Sequence, residues 1–243
     1  RGRRSGGGSR AGSCPAVGMI AALVPVKRLG AGKSRLLGSL ERDAIERLTL
    51  AMLGDILAAL KRVPRIDHIA VVTPDGEVGR AAEAAGAEAL VRTDPGLNPS
   101  LDAAGAELAE RGVTRLLVVL GDVAAAEAAD LAALFDALDG LGGRGVVLAP
   151  SRDGGTSALL RAPHAVIPNH FGKESAAAHR DLARSRGVPY SELPLPSLAI
   201  DLDRVEDVEA LGMRTAVLDT LMRDAEVAAR VAEAALALAR QSG

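Results

Sequence analysis

Short, unbroken apolar runs that alternate with segments of helical spacing constrain this chain more than any other feature. Residues 20–26 (IAALVPV), 68–73 (HIAVVT), 115–120 (RLLVVL) and 145–149 (GVVLA) are such runs, and 89–92 is a shorter one. Continuous apolar character without alternation marks strands buried on both faces. Between them, residues 41–61 place Ile45, Leu48, Met52, Ile56 and Leu60 at helical intervals and stop before Pro64. Segments 77–85, 99–111 and 127–138 are also expected to be helical. Strands alternating with helices imply an α/β fold, a mostly parallel sheet flanked by helices with right-handed crossovers. Ligands of such sheets sit beyond the carboxyl ends of the strands. Loops 27–35, 73–75 and 121–122 therefore carry the functional interest.

The pattern changes after Pro150. Strand-like pieces at 157–160, 164–167 and 198–202 surround a helix at 175–186, which reads as an insertion that completes the pocket. Residues 205–211 are expected to form a last core helix. Domain boundaries are set at 1–18 (an Arg-, Gly- and Ser-rich disordered tail), 19–214 (the functional domain) and 215–243 (an Ala- and Leu-rich helical extension). The apolar face of that extension could cover the core or meet a second copy of the chain in a homodimer. Met19 stands directly before the first strand and is expected to open the functional domain.

Composition narrows the function. The 243 residues include two Phe, one Tyr and no Trp, and the formal net charge is −2. Stacking platforms for single strands need aromatics, and nucleic-acid binders need a basic field, so no nucleic-acid partner is expected. No apolar run is long enough to span a bilayer, so no membrane partner is expected. The one cysteine, Cys14, allows neither an internal disulfide nor a multi-cysteine zinc site. The expected compartment is the cytoplasm.

Four constellations carry chemistry. Val26-Lys-Arg-Leu-Gly-Ala-Gly-Lys-Ser-Arg35 follows the first strand with four cations, Lys27, Arg28, Lys33 and Arg35. Glycines let backbone N–H groups approach phosphate oxygens, and the cations neutralise them. Gly32-Lys33-Ser34 imitates the end of a P-loop, but Lys27 stands where its first glycine belongs. At the end of the run 115–120, Gly121-Asp122 aims a carboxylate into the expected crevice, where Mg²⁺ bridging phosphates is its natural partner. The competing role for Asp122 is a helix N-cap. Asp201 and Asp203 alternate, so on a strand they share one face, a costly pairing unless a cation sits near, and Asp203 could instead cap a helix that starts near Val205. Asp201 is favoured as metal ligand, with Asp203 next. Finally, Asp153-Gly-Gly-Thr-Ser-Ala158 and His170-Phe-Gly-Lys-Glu-Ser175 are two donor-rich turns. Ser175 at the front of a helix suits an anion; a tight turn with a serine N-cap is the alternative. His179, four residues on, is read as structural rather than as a general base.

In this order the constellations resemble the 2-phospho-L-lactate/phosphoenolpyruvate guanylyltransferases of deazaflavin coenzyme F-420 biosynthesis. The marks are Val24-Pro-Val-Lys-Arg-Leu29 with Lys33-Ser-Arg-Leu36, Ala51-Met-Leu-Gly-Asp55, Val71-Val-Thr-Pro-Asp75, Gly96-Leu-Asn98, Gly121-Asp122, Gly155-Thr-Ser-Ala-Leu159, Phe171-Gly172 with Ser175 and His179, and Asp201-Leu-Asp203. The resemblance spans residues 20–211. It implies a nucleotidyltransferase fold related to glycosyltransferase type A (Rossmann-like), GTP as donor, and a small phosphorylated three-carbon acid as acceptor. It further implies Mg²⁺ on Asp122 and Asp201, acceptor binding by Thr156, Gly172 and Ser175, triphosphate contacts from Lys27, Lys33 and Arg35, and a nucleotide-side role for Gly96 and Asn98. The chain departs from the family pattern at Val123-Ala-Ala125, at Asp153-Gly-Gly-Thr-Ser157 and at Lys173-Glu174. These changes bear on the acceptor more than on the reaction class. Two other readings remain: a nucleotidyltransferase of the same fold acting on another acceptor, such as the molybdenum cofactor type, and a module that binds GTP without turning it over.

Overall fold

The computed structural model describes residues 18–30, 42–123 and 125–199. Lys33, Arg35, Asp201, Asp203, the tail before Gly18, the expected helix at 205–211 and the expected C-terminal extension lie outside the described residues.

Seven strands form one sheet in the order β3-β2-β1-β4-β6-β5-β7. β1 (Met19–Pro25) runs parallel to β2 (His68–Thr73) and to β4 (Val113–Val119), and β2 runs parallel to β3 (Glu88–Val91). β6 (Thr156–Ala162) is antiparallel to both β4 and β5 (Gly145–Pro150), and β7 (Tyr190–Glu192) is parallel to β5. The expected mostly parallel sheet is therefore present, with a single reversed strand at β6.

Alternate residues of β1 supply two separate cores. Ile20, Ala22 and Val24 pack with α1 (Arg42–Lys61), α2 (Gly76–Ala84) and α4 (Ala128–Gly140). Ala21 and Leu23 pack on the other face with α3 (Leu97–Glu110) and α5 (Ser175–Ser185). Leu53, Ile56, Leu57 and Leu60 of α1 are all 1% exposed or less, as the helical spacing requires. Each strand of this kind must be apolar on both sides, which explains the unbroken runs.

Three expectations need correction. Residues 164–167 are not a strand. Pro163 follows β6 directly and has no N–H to extend the ladder; the chain turns instead, with the Val166 N–H donating to the Pro163 carbonyl at 3.0 Å. The described part of 198–202 ends a 3-10 turn at Pro196–Leu198 rather than a strand. The region after Pro150 contributes β6 to the sheet between β4 and β5, and every residue of that strand is buried. α3 also begins earlier than expected, at Leu97; Pro99 falls in its first turn, where a missing N–H costs nothing.

Candidate active site

The strand order places the site. The chain moves from β1 outward through β2 and β3, then returns to β4 on the other side of β1. This is a topological switch point, where the loops after neighbouring strands diverge and leave a crevice. A crevice of about 420 Å³ opens there. Its walls come from Val26, Lys27 and Arg28 after β1, Thr73 at the end of β2, and Gly121 and Asp122 after β4. Arg92, Asp94 and Gly96 close the side toward α3.

Gly121 brings the β4 end against β1. A Cβ there would stand 2.7 Å from the Pro25 carbonyl oxygen, so only glycine permits the approach. Asp122 follows at once, half-buried on the crevice wall. It is not the cap of α4: Glu127 occupies that position, and the helix starts at Ala128. The N-cap alternative for Asp122 is thereby removed.

The base of the cationic loop is pinned by a residue that sequence reasoning assigned no role. Asp75 accepts the Leu29 N–H at 3.0 Å and the Glu77 N–H at 2.9 Å, so it both caps α2 and holds the chain just past Lys27 and Arg28. Burial pushes the Asp75 carboxyl up, but the N–H groups of Glu77, Leu29 and Val78 outweigh it and hold its pKa below the usual value. An Asp two residues after a strand and before a Gly is a common cap signal, so this role was discoverable. Lys27 and Arg28 are exposed beside the crevice. Arg92 is held by Glu107 of α3, which also meets Arg111.

Gly96 lines the crevice with φ +109, a conformation that favours glycine, and its N–H donates to Asp94 Oδ1 at 2.9 Å. Asn98 turns away from this wall. Its Nδ2 donates to the Phe171 carbonyl at 2.9 Å, and its Oδ1 accepts the Phe171 N–H at 2.7 Å. Asn169 Nδ2 donates to Asp102 Oδ1 at 2.6 Å. α3 thus borders the crevice with its first turn and grips loop 169–172 with its side.

That loop leads to the second half of the site. Gly172 is exposed with φ +146, and its carbonyl accepts the Ser175 N–H at 3.2 Å. Ser175 Oγ lies 3.1 Å from Thr156 Oγ1, and Thr156 Oγ1 lies 3.1 Å from His179 Nδ1. Thr156, Ser175 and His179 are 2%, 1% and 0% exposed. The structure therefore brings Thr156, Gly172 and Ser175 together, as a compact cluster outside the walls of the crevice. Ser175 does not cap its helix; Glu174, at φ 54, holds that position. The turn before Thr156 is closed by Asp153, whose Oδ1 accepts the Gly155 N–H at 3.0 Å and the Ser151 hydroxyl. Those two bonds, Ser151 first, hold the Asp153 carboxyl below its usual pKa. The Gly154 carbonyl then accepts the Ala176 N–H at 3.2 Å, fastening this turn to the first turn of α5.

The Asp122 carboxylate is of the oxygen-donor type that hard cations take. Among the described residues no group of three or more His, Cys, Asp or Glu could hold a metal; the other carboxylates considered, Asp201 and Asp203, fall outside them. Among the described residues, too, no helix is long and apolar enough to cross a membrane.

Comparison with known proteins identifies the family. A phosphoenolpyruvate guanylyltransferase of Sphaerobacter thermophilus is 42% identical over 193 residues, covering 79% of this chain and 91% of that protein. A 3-phospho-D-glycerate guanylyltransferase of Colwellia psychrerythraea is 28% identical over 191 residues, covering 79% of this chain and 90% of that protein. Among solved structures, a candidate nucleotide-diphospho-sugar transferase from Desulfovibrio desulfuricans G20 shares the fold, with a TM-score of 0.67 at 19% identity over 91% of this chain and 97% of that one. Residues 20–219 match the family described as guanylyl transferase, CofC like. The chain belongs to that CofC-like guanylyl transferase family and is a nucleotidyltransferase.

Proposed function

We propose that this protein transfers GMP from GTP to phosphoenolpyruvate with release of pyrophosphate, in deazaflavin coenzyme F-420 biosynthesis in the cytoplasm. The observation that carries the reading is the pairing of two unlike half-sites through α3. One is an open crevice at the switch point, bordered by Lys27, Arg28 and Asp122. The other is a buried hydroxyl cluster of Thr156 and Ser175 beside the exposed Gly172. A nucleoside triphosphate suits the first, which is roomy and cationic at its rim. A small acid suits the second, where hydroxyls and a glycine N–H are the available donors.

In this reaction a phosphate oxygen of the acceptor attacks the α-phosphorus of GTP in line. The new P–O bond forms as the bond to the β-phosphate bridging oxygen breaks, and pyrophosphate leaves. No general base is needed, since the attacking phosphate oxygen is already anionic. The chain's part is positioning and fixed charge. Lys27, with Lys33 and Arg35 from the same loop, neutralises the triphosphate. Thr156, Gly172 and Ser175 orient the acid, and Asn98 keeps its loop in register with the crevice. Asp122, with Asp201 or Asp203, would hold Mg²⁺, which supplies charge neutralisation at the leaving pyrophosphate. The relative from Sphaerobacter thermophilus favours phosphoenolpyruvate as acceptor.

A second acceptor, 3-phosphoglycerate, is favoured by one observation: the relative from Colwellia psychrerythraea named for it also matches 79% of this chain. Pyrophosphate release from GTP and Mg²⁺, with phosphoenolpyruvate, 2-phospholactate and 3-phosphoglycerate offered separately, decides between them. Release that depends on phosphoenolpyruvate is expected. Release with 3-phosphoglycerate alone would replace the acceptor, and release with none of the three, from folded protein, would contradict the proposal.

A further inference from the structure

His179 lies at the centre of the hydroxyl cluster with both ring nitrogens engaged. Nε2 is 3.0 Å from the backbone nitrogen of His170. A backbone N–H can only donate, so Nε2 carries the lone pair. The ring is wholly buried, and burial first, then the nearby Arg161 and His170, push its pKa down to about 4. It is therefore neutral near pH 7, and its one proton resides on Nδ1. Nδ1 lies 3.1 Å from Thr156 Oγ1, so the hydroxyl oxygen is the acceptor. An edge-on contact with Phe171, ring centroids 5.1 Å apart, fixes the ring plane.

The consequence lies in the hydroxyl protons. Thr156 Oγ1 and Ser175 Oγ are 3.1 Å apart and share one hydrogen bond between them. Because the imidazole donates to Thr156, it takes neither hydroxyl proton. One of the two protons serves the bond between the hydroxyls. The other has no further acceptor among the hydrogen bonds of the described residues. The opposite tautomer would accept from Thr156 and consume that proton.

We propose that His179 is a positioning residue: held as the Nδ1–H tautomer by the His170 backbone, it donates to Thr156 so that the Thr156–Ser175 pair keeps a hydroxyl proton for an anionic oxygen of the acceptor acid. This role rests on the assignment of Thr156 and Ser175 to the acceptor. It also excludes His179 as a general base, since the nitrogen facing the hydroxyls carries a proton and has no lone pair to offer.

Two substitutions separate the role from simple core packing. In His179→Asn the amide nitrogen stands close to the place of Nδ1 and keeps the donation to Thr156. In His179→Gln the terminal oxygen reaches the place of Nε2 and keeps the bond from His170 while the donor is lost. KM for the acceptor is expected to rise about tenfold in His179→Gln, the equivalent of one lost buried hydrogen bond, and about threefold or less in His179→Asn. KM for GTP is expected to stay level in both. Nitrogen-15 NMR of the full unaltered chain should show the His179 ring protonated at Nδ1.

Equal rises in acceptor KM for the two variants, or a parallel rise in GTP KM, would overturn the proposal. So would a ring protonated at Nε2, and that readout decides even if neither variant folds. Failure of the unaltered enzyme to turn over with any acid offered would instead sink the proposed reaction, and this role with it, before a variant is made.

Discussion

The two halves of the site are built in opposite ways. The polar and charged rim of the crevice at the carboxyl ends of β1, β2 and β4 is exposed or half-buried at Lys27, Arg28, Asp94 and Asp122. Its organisation comes from backbone: the close approach at Gly121, the positive φ at Gly96, and Asp75 tethering the loop at Leu29. The hydroxyl cluster is nearly sealed, and its side chains bond to one another. A triphosphate brings several charges and tolerates approximate contacts from exposed cations such as Lys27 and Arg28. A small acid offers few handles, so its donors must be held in place before it arrives. α3 joins the halves, with Gly96 at one and Asn98 gripping Phe171 at the other.

The contrast predicts that damage to the crevice acts on turnover, while damage to the cluster acts on acceptor affinity and stability. The largest effect belongs to Asp122→Asn. Loss of one charge aimed at the reacting phosphates typically costs about 10²–10³-fold in rate. The expectation is a fall of that size in kcat with Tm little changed; turnover near normal would remove Asp122 from the chemistry.

Next is Gly121→Ala, which sets a methyl group against the Pro25 carbonyl oxygen at 2.7 Å. Strain of this kind typically costs about 1–3 kcal/mol. Urea unfolding should show a loss in that range, and kcat should fall as Asp122 moves from its place. Unchanged kcat would show that the crevice does not need the close approach.

Thr156→Val keeps the shape and removes the oxygen that His179 and Ser175 share. Leaving buried donors unpaired costs about 1–3 kcal/mol. Acceptor KM should rise while GTP KM holds, the reverse of the pattern expected for Lys27→Met. Equal changes in both constants would dissolve the distinction between the halves.

The last effect is a dependence on pH, felt only in acid. The folded pKa of His179, about 4, lies below its ordinary 6.5. Between these values the unfolded chain takes up a proton that the folded one refuses, so stability declines as pH falls from 6.5 toward 4. The cause is burial, joined by Arg161 and His170, and the loss over that range is up to about 3 kcal/mol. Urea midpoints should fall across this window in the unaltered protein and fall less in His179→Asn. An equal fall in both would mean that other groups set the acid limb.

Much of this was legible in the chain, for identifiable reasons. The runs 20–26, 68–73 and 115–120 are apolar on both faces because helices cover both faces of β1, β2 and β4. Loops at the carboxyl ends of those strands followed from the sheet class alone. The hydroxyl turns were visible as Gly-Thr-Ser and Phe-Gly with Ser175. The antiparallel insertion of β6 between β4 and β5 was not, since an apolar strand carries no mark of its direction. β7 was missed because Tyr190–Glu192 is short and polar, an edge strand that burial does not sharpen. The grip of Asn98 on Phe171 spans 73 positions, and no local pattern announces a contact of that range.

The central claim is that the acceptor's phosphate attacks the α-phosphorus of the nucleotide across these two halves. It is tested most directly with phosphoenolpyruvate labelled with oxygen-18 in its phosphate. The account predicts that mass spectra of the products show the label in the guanosine diphosphate-bridged acid, with pyrophosphate unlabelled. Inorganic phosphate and GDP in place of pyrophosphate, or label in the pyrophosphate, would contradict it.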